Sequence, residues 1–274
     1  MITSRDNKKI RYIKKLLKKA SFRKSEGLFV LEGFKSVAEA VYHSLASEVY
    51  ISDRTDMAAL EDELGSLMKK RGDNRHDRPS ELLKNIGTET VEDDIFNEVS
   101  DTVTPQGILA VVRMPEYDKA LIYGREDARL LCLEDIRDPG NLGTMIRTCE
   151  AAGMDAIVLS KGCADVYQPK VVRSTMGSLL RVPCIECEDG FTAELERLSD
   201  RGYTLYAACL QGSTDYREAK YSGRLGLLIG NEASGLTDEA IGICRQRIRI
   251  PMCGEVESLN AAVSAAIIMY RMMR

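Results

Sequence analysis

The run Leu225-Gly-Leu-Leu-Ile229 passes directly into Gly230-Asn-Glu-Ala-Ser-Gly-Leu236. An apolar run closed by a glycine-bounded polar loop reads as a buried strand opening a strand-to-helix connection. Two further stretches repeat this arrangement. Leu130-Leu-Cys-Leu133 precedes Asp138-Pro-Gly-Asn-Leu-Gly-Thr-Met-Ile-Arg147, and Ile248-Arg-Ile250 precedes Pro251-Met-Cys-Gly-Glu-Val-Glu-Ser-Leu-Asn-Ala261.

From Arg129 onward the pattern alternates regularly. Strands are predicted at 130–133, 156–159, 182–185, 205–209, 225–229 and 248–250, with helices over 141–152, 168–179, 191–200, 237–244 and 258–272. Continuous apolar strands between helices predict an α/β domain, a mostly parallel sheet covered on both faces. A dinucleotide-binding sheet, and with it a nucleotide-dependent oxidoreductase, is excluded because no Gly-x-Gly-x-x-Gly follows the first strand. Gly140 and Gly143 enclose two residues, one of them Asn141.

The first half reads as a smaller α/β/α unit over residues 1–115. Strands are expected at 28–31, 48–51, 86–91 and 107–113, with helices over 33–43, 56–70 and 92–99. Residues 72–79 carry no apolar side chain and read as a loop, and the weakly periodic 116–128 reads as a linker to the second domain, 129–274. At 274 residues, two domains are the expectation.

Charge is unevenly spread. Residues 1–26 hold ten Lys/Arg against Asp6 and Glu26, a local +8 in a chain whose total is −4. Ile10, Ile13, Leu16 and Leu17 recur within that stretch at helical spacing, so a basic amphipathic helix is predicted. A polyanion accounts for such a face better than solvation alone, because phosphate neutralisation dominates nucleic-acid affinity. No apolar run approaches the roughly 20 residues that a spanning helix requires, and the N-terminus lacks the pattern of a secretory signal. A cytoplasmic protein with no membrane partner is expected. Of eight cysteines, Cys132, Cys149, Cys209 and Cys244 sit in apolar runs as small core residues. Cys184 and Cys187 have no second Cys or His pair nearby, so no metal site is expected.

The motif residues have structural readings of their own. Asn141 can cap a helix, Gly230 can supply a positive φ or let backbone approach a ligand, and Ser258 can cap the last helix. Arg147, one turn beyond Gly143, points to solvent or reaches a polyanion. Asn260, two residues into an Ala-rich helix so capped, is locally unfavourable, a mark of working sites.

Taken in order, the three segments resemble the SpoU/TrmH-type branch of the SPOUT RNA methyltransferases, over about half the chain. Phe29-Val-Leu-Glu-Gly33 and Thr104-Pro-Gln-Gly-Ile-Leu-Ala-Val-Val112 look like the substrate-binding domain that precedes many SpoU-type catalytic domains, a ribosomal-protein-like RNA-binding fold. The resemblance implies transfer of a methyl group from S-adenosylmethionine to a ribose 2′-hydroxyl. It also implies a C-terminal trefoil knot, an exception to the rule that chains do not thread loops. Arg147, Asn141, Glu232 and Asn260 match the catalytic set, with Arg147 facing the ribose. Gly230, Ile250 and Leu259, with Met252, Ala261 and Leu210 beside them, are the implied cofactor contacts. Members are homodimers through this domain, and Ile267, Ile268, Met269, Met272 and Met273 make the last helix apolar enough to serve. The separate N-terminal domain favours ribosomal over transfer RNA. The alternative is an inactive RNA-binding ribosome-assembly factor of the same fold. It predicts decay at the catalytic set, and this chain retains all four residues. Base-methylating branches lack the Asn-x-Gly-x-x-x-Arg arrangement.

Overall fold

A computed structural model describes residues 1–73, 79–84 and 86–273. The expected loop at 72–79 falls largely outside them. The chain forms two compact units, one of Met1–Pro115 with Tyr167–Leu180, the other of Glu116–Val166 with Arg181–Arg274.

The first unit begins with α1 (Lys8–Lys18) and α2 (Ala20–Glu26) and continues through β1 (Leu28–Glu32), α3 (Phe34–Tyr42), β2 (Ala46–Ser52), α4 (Ala58–Lys70), α5 (Pro79–Leu83), β3 (Gly87–Val91), α6 (Asp93–Val99) and β4 (Ile108–Arg113). Its strands lie in the order β1-β4-β2-β3, with β2 and β3 parallel and β4 antiparallel to both of its neighbours. Ile10, Ile13 and Leu16 of α1 are fully buried in one core with Tyr50, Phe96 and Leu109. Tyr167–Leu180 packs with this unit although it falls within 129–274 of the sequence division. The Phe29 and Tyr167 rings lie 4.8 Å apart.

The basic N-terminal stretch is two helices rather than one, with Lys19 extended between them. The cause is Arg23, 3% exposed, whose guanidinium donates to Leu16 O at 2.5 Å and Leu17 O at 3.1 Å. One side chain thereby satisfies carbonyls that a helix C-terminus leaves open. Other charges are also used internally: Lys9 pairs with Glu89 (3.0 Å) and Glu48 (3.4 Å), and Arg5 and Lys14 with Glu98. The bond that Lys9 donates to Glu89 holds its ammonium above the ordinary pKa. Lys8, Arg11, Lys15 and Lys18, spaced three, four and three residues apart, remain exposed on the side of α1 opposite its buried face.

The second unit runs α7 (Lys119–Tyr123), β5 (Arg129–Leu133), α8 (Pro139–Ala151) and β6 (Ala156–Leu159). After α9 (Pro169–Thr175) of the first unit it resumes with β7 (Cys184–Glu186), α10 (Phe191–Asp200), β8 (Thr204–Ala208), β9 (Thr214–Asp215), β10 (Leu225–Ile229), α11 (Asp238–Ile243), β11 (Gln246–Arg249) and α12 (Ala261–Arg271). The seven strands form one wholly parallel sheet, β7-β6-β5-β10-β8-β11-β9. Leu130 to Leu133 and Leu225 to Ile229 are buried at every position, as helices on both faces require. Residues 116–128, read above as a linker, carry α7, whose Ile122 and Tyr123 enter this core.

Helix 168–179 stops earlier than its sequence pattern, because Met176 turns left-handed (φ 49°) ahead of Gly177 (φ 89°). Ser178–Leu180 follows as a single 3-10 turn. Strand β9 was not foreseen, since two polar residues give no apolar run. Cys132, Cys149 and Cys187 are buried, and burial pushes the Cys184, Cys187 and Cys244 thiols up to about 12. Ile268 and Met269 of α12, and Met272 just beyond it, are buried within the second unit, which removes them from the expected docking face. Val263, Ile267, Tyr270 and Met273 are the large apolar side chains that this end of the chain leaves wholly or partly exposed.

Arg23→Ala is expected to destabilise the first unit by about 2–3 kcal/mol, because charged hydrogen bonds to buried carbonyls are lost. Arg11→Ala, a change on the exposed face, is expected to cost less than about 0.5 kcal/mol. Urea denaturation of both variants checks the pair.

Candidate functional site

Four neighbouring strands, β5, β10, β8 and β11, run in the same direction, so their C-terminal ends lie along one edge of the sheet. From that edge emerge the segments 134–138, 230–237, 209–213 and 250–260, and there α8 and α12 begin. In open parallel sheets this edge is where ligands bind. It collects Asn141, Glu232 and Asn260, together with Gly230, Leu210, Ile250, Met252, Leu259 and Ala261, and Asn141 and Asn260 lie 119 residues apart in sequence.

Three of the catalytic candidates form one hydrogen-bonded chain. Asn260 Nδ2 donates to Asn141 Oδ1 at 2.9 Å, and Asn141 Nδ2 donates to Glu232 Oε1 at 2.5 Å. Its direction is set at the Asn260 end. Asn260 Oδ1 accepts from the backbone N–H groups of Ala262 (2.9 Å) and Val263 (3.2 Å), so only its amide hydrogens can face Asn141. Asn141 must then present its oxygen to Asn260 and its hydrogens to a carboxylate. Asn260 is therefore the N-cap of α12, and not Ser258, and its place outside the helix removes the local conflict read from the sequence. Asn141 is likewise no cap. Asp138 caps α8 by accepting from Asn141 N at 2.7 Å, with Pro139 in the first helical turn, and this leaves the Asn141 side chain available for the chain of amides.

Arg147 stands apart from these three. It is exposed on α8, and among the described residues no hydrogen bond or ion pair engages it. The side chain is thus available to an outside anion.

The loop 230–237 doubles back on itself. Asn231 and Gly235 exchange backbone hydrogen bonds, and Asn231 Oδ1 accepts from Ala233 N and Ser234 N. A Cβ on Gly230 would fall 2.3 Å from the Gly235 carbonyl carbon and from Leu236 N. Gly230 is required by this intramolecular approach, and the positive φ belongs instead to Gly235 at 70°.

Of the other candidates, Leu210 is 57% exposed, Ile250, Met252 and Leu259 are half-buried, and Gly230 and Ala261 are buried. The stretch 250–260 contains neither helix nor strand.

Sequence reasoning missed the residues just after β5. Glu134, 8% exposed, accepts from Thr237 N at 2.9 Å and Thr237 Oγ1 at 2.8 Å. Asp135 is left-handed (φ 55°), its carbonyl accepts from Asn231 Nδ2 at 2.8 Å, and its carboxylate from Ser160 Oγ at 2.9 Å. Space for that carboxylate exists because residue 162 is glycine, where a Cβ would sit 1.9 Å from Asp135 Oδ1. The available signal was an acid directly after the apolar run Leu130–Leu133.

Asn260→Asp keeps the oxygen that caps α12 but turns a second oxygen toward Asn141, which would force an amide flip against Glu232. Melting temperature is expected to stay within about 3 °C of wild type, since the cap survives. Turnover, measured beside it, is expected to fall at least about 100-fold as the ordered polar chain breaks.

The chain resembles known proteins along its full length. Residues 128–270 match the model of the SpoU rRNA Methylase family, and residues 7–110 match the MRM3-like substrate binding domain. It is 33% identical over 272 residues to the 23S rRNA (guanosine(2553)-2'-O)-methyltransferase RlmP of Bacillus subtilis, covering 99% of this chain and 98% of that one. It is 33% identical over 201 residues to the 23S rRNA (uridine(2479)-2'-O)-methyltransferase of Streptomyces viridochromogenes, 71% of this chain and 70% of the relative. Among solved structures, the SpoU methyltransferase AviRb from Streptomyces viridochromogenes in complex with AdoMet superimposes with a TM-score of 0.78 at 26% identity, over 97% of both chains. The AdoMet-bound rRNA methyltransferase of Sinorhizobium meliloti gives 0.81 at 26% identity, over 98% and 95%.

Proposed function

Because the chain belongs to the SpoU rRNA methylase family, we infer that it is an S-adenosylmethionine-dependent RNA methyltransferase acting on a ribose 2′-hydroxyl of ribosomal RNA. The observation that carries this reading is the oriented chain Asn260–Asn141–Glu232 at the sheet edge, with Arg147 exposed farther along α8. Full-length similarity to a ribosomal RNA 2′-O-methyltransferase supports the substrate class.

The residues at the edge suit the cofactor. Ile250, Met252 and Leu259 offer apolar surface for an adenine and a methionine chain, and the backbone of 250–260 and of the Gly230 loop offers donors and acceptors. When bound, S-adenosylmethionine supplies a methyl already activated on a sulfonium, so the difficult chemistry is the cofactor's own.

The protein's task is positioning. Asn141 and Glu232 are held at fixed polarity by the Asn260 cap and present a preorganised polar surface to the ribose, with no reorganisation left for the moment of reaction. Arginine is in general protonated at any working pH, so Arg147 is assigned a binding role. It takes a phosphate or ribose oxygen and steadies charge developing on the 2′-oxygen, while water or an RNA phosphate accepts the proton.

The first unit binds the RNA. The stripe Lys8, Arg11, Lys15 and Lys18 is the exposed basic face of α1. The segment between β11 and α12 forms the trefoil knot, and the active form is a homodimer through the second unit, with Val263, Ile267 and Tyr270 of α12 at its interface. A cytoplasmic location follows from a ribosomal RNA substrate, and no helix among the described residues is long and apolar enough to cross a membrane.

Labelled methyl transfer from S-adenosylmethionine to unmodified ribosomal RNA tests the activity. Label is expected in a 2′-O-methylated nucleoside, reduced at least about 100-fold in Arg147→Ala. Absence of transfer by the wild-type protein would overturn the reading. For the stripe, joint replacement of Lys8, Arg11 and Lys18 by alanine is expected to shallow the slope of log K against log salt by about 2, since each phosphate contact contributes about 0.7–0.9.

A further inference from the structure

Glu232 is exposed, as are Ala233, Ser234 and Gly235 behind it. A carboxylate on an exposed loop can orient Asn141 only if the loop is held. The hold comes from a residue in another segment. Glu134 N donates to Ile229 O at 3.0 Å, just ahead of Gly230, and both Glu134 carboxylate oxygens accept from Thr237, just past Leu236. One residue thus grips the chain on both sides of the loop. Its neighbour Asp135 adds a third tie through its carbonyl to the Asn231 side chain.

Burying a carboxylate at 8% exposure is costly unless its oxygens are bonded, and here a single residue supplies both donors. Thr237 also caps α11 through Ala240 N at 3.3 Å. A cap alone does not call for Glu134, because the Thr237 hydroxyl oxygen performs that task unaided. What Glu134 adds is a fixed separation between the end of β5, which leads into Asn141, and the end of the loop that bears Glu232.

We propose that Glu134 is a positioning residue for methyl transfer, acting through Thr237 and the clamped loop to set Glu232 against Asn141. This rests on the methyltransferase reading above. In this role Glu134 acts without contacting cofactor or ribose, through its bonds to Thr237 and Ile229. Its influence passes through loop geometry, where displacements of about 1 Å cost up to about 100-fold in rate.

The test is a double-variant cycle on kcat in the ribosomal RNA methylation assay, with Glu134→Gln, Glu232→Gln and the pair. Glu134→Gln keeps the side chain's size but offers an N–H₂ to one of the two Thr237 donors. Its kcat is expected to fall about tenfold, with RNA affinity unchanged. The pair is expected to lose no more than Glu232→Gln alone, because both changes act on one carboxylate. Wild-type kcat in Glu134→Gln, or losses that multiply in full in the pair, would overturn the proposal. Should Glu134→Gln not fold, Thr237→Ser and Thr237→Val replace it. Serine keeps both donors and is expected to lose at least about fivefold less kcat than valine, whereas equal losses would refute the clamp. Wild-type transfer in the same assay checks the underlying activity separately, so failure of one reading is not mistaken for failure of the other.

Discussion

Everything at the site depends on four adjacent strands pointing the same way. A parallel sheet buried on both faces leaves its strand ends as the places where polar chemistry meets solvent. Because β5, β10, β8 and β11 are neighbours in that sheet, four segments from distant parts of the chain converge at one edge. Asn141, Glu232 and Asn260 follow three of these strands, β5, β10 and β11, in the chain.

Given that convergence, direction becomes the next constraint. An amide side chain has one accepting and one donating end, and the backbone of α12 decides which end of Asn260 faces outward. That choice passes to Asn141 and stops at Glu232, which as a carboxylate accepts from Asn141 and offers no competing donor. Helix capping, usually worth about 1 kcal/mol of stability, here also orients a polar surface. The Gly230 loop works in the same economical way. Its tight return, possible only without a Cβ, places Glu232 between anchors at Asn231 and Thr237.

The first unit shows how little of a sequence charge excess need face a partner. Arg23 closes the end of α1 from inside, and Lys9, Lys14 and Arg5 are matched by glutamates of the same unit. Four residues of ten make up the outward stripe of α1. A count of basic residues does not separate those matched inside the unit from those left along the exposed face of α1, and the packing does.

The sequence by itself determined the alternation of apolar strands and helices, the parallel sheet, and the three loops that hold the candidate residues, because burial on both faces writes itself into local composition. Helix 191–200 and strands 156–159 and 225–229 were legible to the residue for that reason. Tertiary structure alone decided which residue caps which helix. It alone turned Met176 left-handed, bent the N-terminal helix at Lys19, withdrew Ile268, Met269 and Met272 into the core, and placed Glu134 across from Thr237. Each of these depends on a partner remote in sequence. A pattern of local hydropathy carries no information about where a carboxylate or a carbonyl finds its hydrogen bond once the strands have assembled.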